Sequence, residues 1–271
     1  MTARPQTIRT GTRRDAAAFG GGAGIGILGG LIGLGGAEFR LPLLIGGFRF
    51  AALDAVVLNK AMSLVVVASA LPFRASTVPL ATVADHWTVI VNLLAGSLVG
   101  AWLGAGWAVR LRSETLYRVI AVLLVLIAAV LLLGHDAAAA GHPPVEGVLQ
   151  AVLGVAAGLT IGLVASLLGV AGGELLIPTL VLLFGAEIKL AGSLALAVSI
   201  PTLLMGLTRY GREGRLMALM RNRTFVLAMT TGSVLGSFLG ARLLGIVPGS
   251  VLLPLLTMIL LVSAVKMWRQ R

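Results

Sequence analysis

The chain has 271 residues, of which 58% are hydrophobic and 11% charged, and its formal net charge is +11. Its mean hydropathy of +1.03 excludes an ordinary soluble domain, in which about a quarter of the residues are charged. It has no cysteine, which excludes disulfides and thiolate metal sites, and its 5% aromatic residues are too few for a surface that stacks nucleic acid bases. We therefore expect a multi-pass helical membrane protein, whose surplus of Lys and Arg sets its orientation.

The first predicted element is a basic N-terminal tail, residues 1–19, with four arginines. The apolar run after it is glycine-rich and leads straight into a motif that returns later, and no A-x-A cleavage site separates that run from the motif, so we expect a retained cytoplasmic tail. The next segment, residues 20–47, contains Gly24, Gly26 and Gly29 in the spacing G-x-G-x-x-G. A dinucleotide-binding loop needs a preceding strand, whereas charged residues precede here, so we interpret these glycines as helix-packing residues.

Long apolar stretches follow, each near the ~20 residues that a helix needs to cross a bilayer. They are Ala51–Leu71, Val89–Ala108, Leu116–Gly134, Leu190–Leu207, Phe225–Val247 and Val251–Val265. A connector, residues 135–153, contains Pro143 and Pro144, which end helices. The three histidines are scattered, and no catalytic motif or ligand cluster accompanies them. We therefore expect neither an enzyme nor a metal or cofactor site.

The sequence repeats itself at a spacing of 136 residues, without a gap over more than 80 residues. The pairs in register include Gly22/Gly158, Gly26/Gly162, Glu38/Glu174, Pro42/Pro178, Phe48/Phe184 and Ser63/Ser199. Matches of Glu, Pro and Phe in one register are not expected from composition alone. The repeat predicts two membrane halves, residues 20–134 and 154–271, as is typical of secondary transporters.

Each half begins with an unusual apolar segment, residues 20–47 and 154–185. Glycine pairs interrupt the two segments at Gly35-Gly36 and Gly172-Gly173. Such interruptions at corresponding positions indicate broken helices at a binding site. Each segment could cross the membrane once as a bent helix, or enter and leave on one side as a re-entrant hairpin of two half-helices.

The loop charges favour one arrangement of the halves. A single bent crossing makes the halves parallel and places Arg110, Arg112 and Arg118 outside. A re-entrant hairpin makes the halves inverted, places these arginines inside and leaves only Arg74 and Lys189 outside. Because positive residues prefer the cytoplasmic side, we favour inverted repeats with both termini cytoplasmic.

Glu38 and Glu174 are the sharpest candidates for function, because an ionisable residue at membrane depth is costly. Each follows a glycine pair and precedes a proline, Pro42 or Pro178, by four residues. They are candidates for proton coupling, although a carboxylate in a first helical turn can also complement the helix dipole. The free backbone N–H groups at such helix starts form a plausible anion site, and glycine lets a ligand come close.

Three further features are less decisive. Arg40 could pair with Glu38 or contact a substrate anion, and for Lys60 we favour a snorkelling role at a helix entrance. Ser63 and Ser199 are candidate ligands, although helical serines often bond to their own i−4 carbonyl. Small-residue stripes indicate close packing between helices or between subunits, so a homodimer is possible. The stripes are Gly96, Gly100 and Gly104, and Gly232, Gly236 and Gly240.

The duplicated stretches GLIGLGGAEFRLPLLI and SLLGVAGGELLIPTLV resemble the TauE/SafE sulfite exporter family, also called 4-toluene sulfonate uptake permeases. The motif positions are Gly33, Gly35, Gly36, Glu38 and Pro42, and Gly169, Gly172, Gly173, Glu174 and Pro178. The chain departs from the family pattern at Ala37 and Ala171, where glycine is common. The resemblance implies a transporter of small sulfur-containing anions in the bacterial inner membrane.

The sequence therefore predicts an all-α inverted-repeat transporter that exports sulfite or a related anion, with Glu38 and Glu174 as candidates for proton coupling. The proposed substrate-binding residues are Gly35, Gly36, Glu38, Arg40, Pro42, Ser63, Gly172, Gly173, Glu174, Pro178 and Ser199. A passive anion channel and a membrane scaffold for a sulfur-metabolising enzyme remain alternatives. The expected partners are the small anion and the lipid bilayer, without nucleic acid.

Overall fold

A computed structural model describes residues 7–32, 35–75, 78–123, 125, 145–243 and 265. This part of the chain is helical and contains no strand. The helices are α1 (Thr7–Ile32), α2 (Ala37–Pro42), α3 (Ala52–Arg74), α4 (Leu80–Asp85), α5 (Trp87–Arg110), α6 (residues 113–123), α7 (Gly147–Leu168), α8 (Gly173–Phe184), α9 (Ile188–Arg212), α10 (Met217–Arg221) and α11 (Arg223–Leu243). A π turn, Leu43–Gly47, continues α2.

Five helices in the described part are long and apolar enough to cross a membrane, namely α3, α5, α7, α9 and α11. Four of them, α3, α5, α9 and α11, coincide with apolar stretches predicted from the sequence. The stretch Leu116–Gly134 begins in α6, but residues 126–134 lie outside the described residues, as does nearly all of Val251–Val265. The prediction of a multi-pass helical membrane protein is confirmed.

The spacing of 136 residues recurs in the helices. Ala52 and Ile188 begin α3 and α9, and Trp87 and Arg223 begin α5 and α11. The first helix of each half extends further back than the predicted half, because α1 includes residues 7–19 and α7 includes residues 147–153.

The glycine stripes join the two halves of one chain. On α5, an added Cβ at Gly96 or Gly104 would strike the backbone of Val155 or Leu163 of α7. The same relation holds between α1 and α11, where Gly26 lies against the carbonyl of Ser233. Small residues thus let helices from different halves approach to backbone contact. Gly96, Gly100, Gly232 and Gly236 are used within the chain, so they carry no argument for a homodimer.

Residue contacts give the relative directions of the helices. The contacts between α3 and α9 run in opposite orders: Lys60 lies against Gly206, and Arg74 donates to Ser193 Oγ at 3.4 Å. The helices α3 and α9 are therefore antiparallel, and they cross where the two halves meet.

The other helices follow one of these two directions. Helix α5 runs parallel to α9, because Ser97 bonds to Thr202 and Gly106 lies against Arg209. Helix α3 runs parallel to α11, since Asp54 pairs with Arg221 just before α11 and the rings of Phe73 and Phe238 are 5.4 Å apart. The stripes make α1 parallel to α11, and α7 parallel to α5. Thus α1, α3 and α11 run one way, and α5, α7 and α9 the other.

The glycines of the G-x-G-x-x-G spacing lie inside α1 rather than in a loop, and they permit a matched test. We expect Gly26→Ala to lower the free energy of unfolding by about 1–3 kcal/mol, because its Cβ would overlap the carbonyl of Ser233. Gly24 is exposed, with no atom within 4 Å of an added Cβ. Gly24→Ala should therefore be neutral or stabilise by about 0.5–1 kcal/mol. Thermal unfolding in detergent measures both, and equal effects would contradict the helix pairing.

Candidate functional site

Both predicted helix interruptions are present. Gly35 and Gly36 have φ angles of +83° and +70°, and α2 begins directly after them. In the second half, Gly169 and Gly172 have φ angles of +66° and +84°, and α8 begins at Gly173. Glycine adopts these left-handed angles without the steric penalty of a Cβ, so the chain can leave one helix and start another. Of the motif positions, Gly33 lies outside the described residues.

The chain reverses direction at each break. Gly36 lies against Ile25 of α1, and further along the returning segment Leu43 lies against Gly21. In the second half, Phe184 at the end of α8 lies against Gly154 of α7. Each break therefore lies at the turn of a helical hairpin and not within a single bent helix. The first arm is longer than the half-helix expected, because α7 alone has 22 residues.

Glu38 and Glu174 occupy equivalent places in the first turns of α2 and α8. Their exposed fractions are 0% and 2%. Within the described residues, no carboxylate oxygen of either side chain has a hydrogen-bond partner. A purely local cap would bond to the free N–H groups of the helix start, and neither carboxylate does so. A buried polar group without a partner is costly, so the described residues do not account for the burial of either carboxylate.

The side chain of Arg40 stabilises the first break by bonding to its backbone. Its buried guanidinium donates to the carbonyl of Gly35 at 3.2 Å and contacts Asn59 Oδ1 at 3.5 Å and Ser63 Oγ at 3.4 Å. Among the described residues it forms no ion pair within 4 Å, so of the two alternatives for Arg40 the direct pairing with Glu38 is absent. Arg40 is thus placed by neutral oxygens, and its Nε is buried without a partner.

Two polar side chains of α3 complete this support. Asn59 Nδ2 donates to the carbonyl of Ala37 at 2.9 Å. Ser63 donates to its own i−4 carbonyl at 2.7 Å, the common pattern for a helical serine, and accepts from Arg40. Sequence analysis did not select Asn59, although an amide in an apolar span next to Lys60 was an available signal.

The second break is supported differently. Leu176 and Ala195 stand where the first half has Arg40 and Asn59. Ser199, the equivalent of Ser63, instead donates to the carbonyl of Ala171 at 2.9 Å. Ala171 is the equivalent of Gly35, so the same carbonyl is satisfied by arginine in one half and by serine in the other.

The two prolines weaken each returning helix next to its glutamate. Pro42 and Pro178 lie inside α2 and α8 and have no N–H to donate to the carbonyls of Glu38 and Glu174. In the first half, the π turn follows Pro42 directly. The backbone is therefore irregular on both sides of Glu38, whereas α8 continues as one α-helix past Pro178 to Phe184.

Lys60 does not snorkel at a helix entrance, so the position favoured from the sequence is wrong for this residue. Its side chain is fully buried, and Nζ donates to Ser166 Oγ at 3.1 Å. The signal that could have identified it is the repeat itself, because the equivalent residue is Leu196.

The breaks flank the crossing of α3 and α9. Val67 of α3 lies against Gly35 and belongs to the same buried cluster as Ala171, beside the second break. Gly169 lies against the backbone of Val56, also on α3. The two hairpin tips therefore both lie against α3. Lys60 belongs to α3, and Arg40 of α2 contacts Asn59 and Ser63 on the same helix.

Comparison with known proteins identifies the relatives of this arrangement. A family model described as "Sulfite exporter TauE/SafE" matches residues 17–267, nearly the whole chain. The match covers both hairpins and confirms the resemblance seen in the duplicated stretches. The curated proteins and the solved structures give no match.

The positive φ at the first break permits a controlled test. We expect Gly36→Ala to lower the free energy of unfolding by more than the about 1–2 kcal/mol of a left-handed non-glycine residue, because its Cβ would also lie 2.7 Å from the carbonyl oxygen of Ile25. Gly214 has φ +70° but open space around an added Cβ. Gly214→Ala therefore measures the backbone penalty alone. Equal losses in chemical or thermal unfolding would show that the hairpin contact adds nothing.

Proposed function

Because the chain belongs to the TauE/SafE sulfite exporter family, we propose that it is a secondary transporter that exports sulfite or a related small sulfur-containing anion. The family match over residues 17–267 carries this proposal. The five helices able to cross a membrane agree with a transporter in a lipid bilayer. A bacterial inner membrane and cytoplasmic termini belong to the proposal, supported by the family and by the loop charges.

The substrate site lies between the two hairpin tips, near the crossing of α3 and α9. The start of α8 directs free N–H groups and the positive end of its dipole toward this region, and Gly172 brings the backbone within reach of a ligand. The equivalent turn at Gly36 and Glu38 supplies the other side. Around it lie the remaining proposed ligands, namely Gly35, Arg40, Pro42, Ser63, Gly173, Glu174, Pro178 and Ser199.

Glu38 and Glu174 serve as proton carriers in this proposal. Their burial and unpartnered oxygens support it, since an ionisable group inside a membrane protein is a functional candidate by default. A carboxyl group that takes up a proton next to the substrate can link anion movement to the proton gradient.

Inverted repeats supply the alternating access that such a transporter needs. This proposal is supported by the directions of the helices at equivalent positions in the two halves. Helix α3 is antiparallel to its equivalent α9, and α1 is antiparallel to its equivalent α7. An inverted pair presents the same surfaces to opposite sides of the membrane, so exchanging the conformations of the halves moves the opening from one side to the other.

Replacing the glutamates tests the coupling. We expect Glu38→Gln and Glu174→Gln each to reduce sulfite transport into proteoliposomes under a pH gradient by about ten-fold or more, because glutamine cannot take up a proton. The variants should still fold, since each substitution removes an unpaired buried carboxyl group. Radiolabelled sulfite uptake measures the rate.

The control is Glu146→Gln, at an exposed position before α7 that makes no side-chain cap, and it should transport like the wild type. Unchanged transport in both buried variants would remove the proton role. Sulfite flux that a pH gradient cannot drive uphill would indicate a passive channel. A melting temperature that no sulfite, sulfate, thiosulfate, sulfoacetate or taurine raises would favour a scaffold, because a ligand stabilises the state that it binds.

The absence of cysteine allows a test of the inverted arrangement. We expect Ser113→Cys and Glu213→Cys to react with an impermeant maleimide from the same side of the membrane, and Glu187→Cys from the other. All three positions are exposed, and α5 and α9 run parallel toward the first two. Labelling in right-side-out and inverted vesicles distinguishes the sides. Labelling of Ser113→Cys together with Glu187→Cys would instead support parallel halves.

A further inference from the structure

Lys60 is a buried basic residue to which the proposed roles of the glutamates and of the hairpin turns assign no function. Its Nζ projects from α3 to the last turn of α7, where it donates to Ser166 Oγ. Across the gap stands Gly206 of α9, where an added Cβ would overlap Lys60 Cε and lie 2.7 Å from Nζ. The amine group therefore lies at a junction of both halves, in space that only glycine leaves open.

Donors at this junction outnumber acceptors. A lysine ammonium has three N–H donors, and Lys60 uses one of them on Ser166. The Ser166 hydroxyl accepts this bond and has no acceptor of its own in the described residues. Tyr210 donates to the Ser166 carbonyl at 2.9 Å and so fixes the serine backbone. Two donor groups, the Lys60 ammonium and the Ser166 hydroxyl, thus lie together where this part of the chain supplies no carboxylate within 4 Å of Lys60 Nζ.

The repeat shows that packing does not require a charge here. The equivalents of Lys60 and Gly206 are Leu196 and Ala70, and these two belong to one apolar cluster with Leu203. At the equivalent position in the contact between α3 and α9, apolar side chains therefore take the place of Lys60. A lone buried ammonium is costly where leucine suits the geometry, so Lys60 must gain something that packing does not supply.

We propose that Lys60 and the Ser166 hydroxyl form a binding site for the oxygens of a small oxyanion at the contact between the two halves. The site rests on the transport function proposed above and assigns its charge selectivity to a single residue. Lys60 supplies the positive charge, Ser166 a neutral donor from the other half, Gly206 the space, and Tyr210 acts as a positioning residue. An anion held there bridges α3 and α7, so its arrival and departure change the contact across which the halves move.

The site is tested with purified full-length protein titrated with sodium sulfite, with sodium chloride matching the ionic strength. The melting temperature without sulfite and its rise with sulfite concentration are measured for the wild type and Lys60→Leu. We expect Lys60→Leu to melt no lower than the wild type without sulfite, because it removes a lone buried charge. Its apparent affinity for sulfite should fall by about ten-fold to a hundred-fold, the loss of one charge-assisted hydrogen bond.

A merely structural lysine gives the opposite pattern. Lys60→Leu would then melt several degrees lower without sulfite while binding sulfite like the wild type, and either result overturns the site. If Lys60→Leu does not fold, Lys60→Gln keeps a donor for Ser166 without the charge, and the same two criteria apply. Gly206→Ala retains the lysine but displaces its amine, and we expect sulfite affinity to fall several-fold.

Lys189→Gln is the matched control, because Lys189 is exposed at the start of α9; its affinity for sulfite should be unchanged. A wild-type protein that does not respond to sulfite contradicts the proposed function, and this site with it. A wild type that responds together with a Lys60→Leu that responds equally contradicts the Lys60 site alone and leaves the proposed function standing.

Discussion

Backbone groups that leave a helix inside a membrane must find another partner, since no water competes for them. This chain leaves its helices twice, and the surrounding side chains are arranged to meet that requirement. Arg40 satisfies the carbonyl of Gly35, Asn59 that of Ala37, and Ser199 that of Ala171. These carbonyls are therefore satisfied by side chains of α2, α3 and α9. In the proposed site, the anion is bound on the other side of each break, by the N–H groups at the start of the returning helix.

The two halves share the same helical elements, but their buried basic residues differ. Both halves have the hairpin, the buried glutamate and the proline, but Arg40 and Lys60 occur only in the first, opposite Leu176 and Leu196. In the proposed mechanism, the two equivalent glutamates are proton sites and the cationic residues of the first half bind the anion. Helix α1 packs against α11 and helix α5 against α7, so each half also packs against a helix of the other half.

The features that follow from the internal repeat and from residue spacing could be predicted from the sequence. Glycine pairs next to Glu38 and Glu174, repeated at one spacing, were enough to predict two broken helices and to indicate the family. Sequence reasoning failed where the result depends on which face of a helix meets which neighbour. Lys60 looked like a snorkelling residue because the sequence does not show that α3 crosses α9 beside Gly206. The loop charges did favour a hairpin over a single bent helix, but only long-range contacts such as that of Gly36 with Ile25 make the hairpin visible.

The most direct measurement is the position of the anion itself. Selenite is a heavier analogue of sulfite, and its anomalous scattering locates it in crystals of the full chain. The account predicts a peak in the buried region between the two hairpin tips, within hydrogen-bond distance of the start of α8 or of Lys60 Nζ. Peaks confined to exposed arginines, with none at the crossing of α3 and α9, would contradict it.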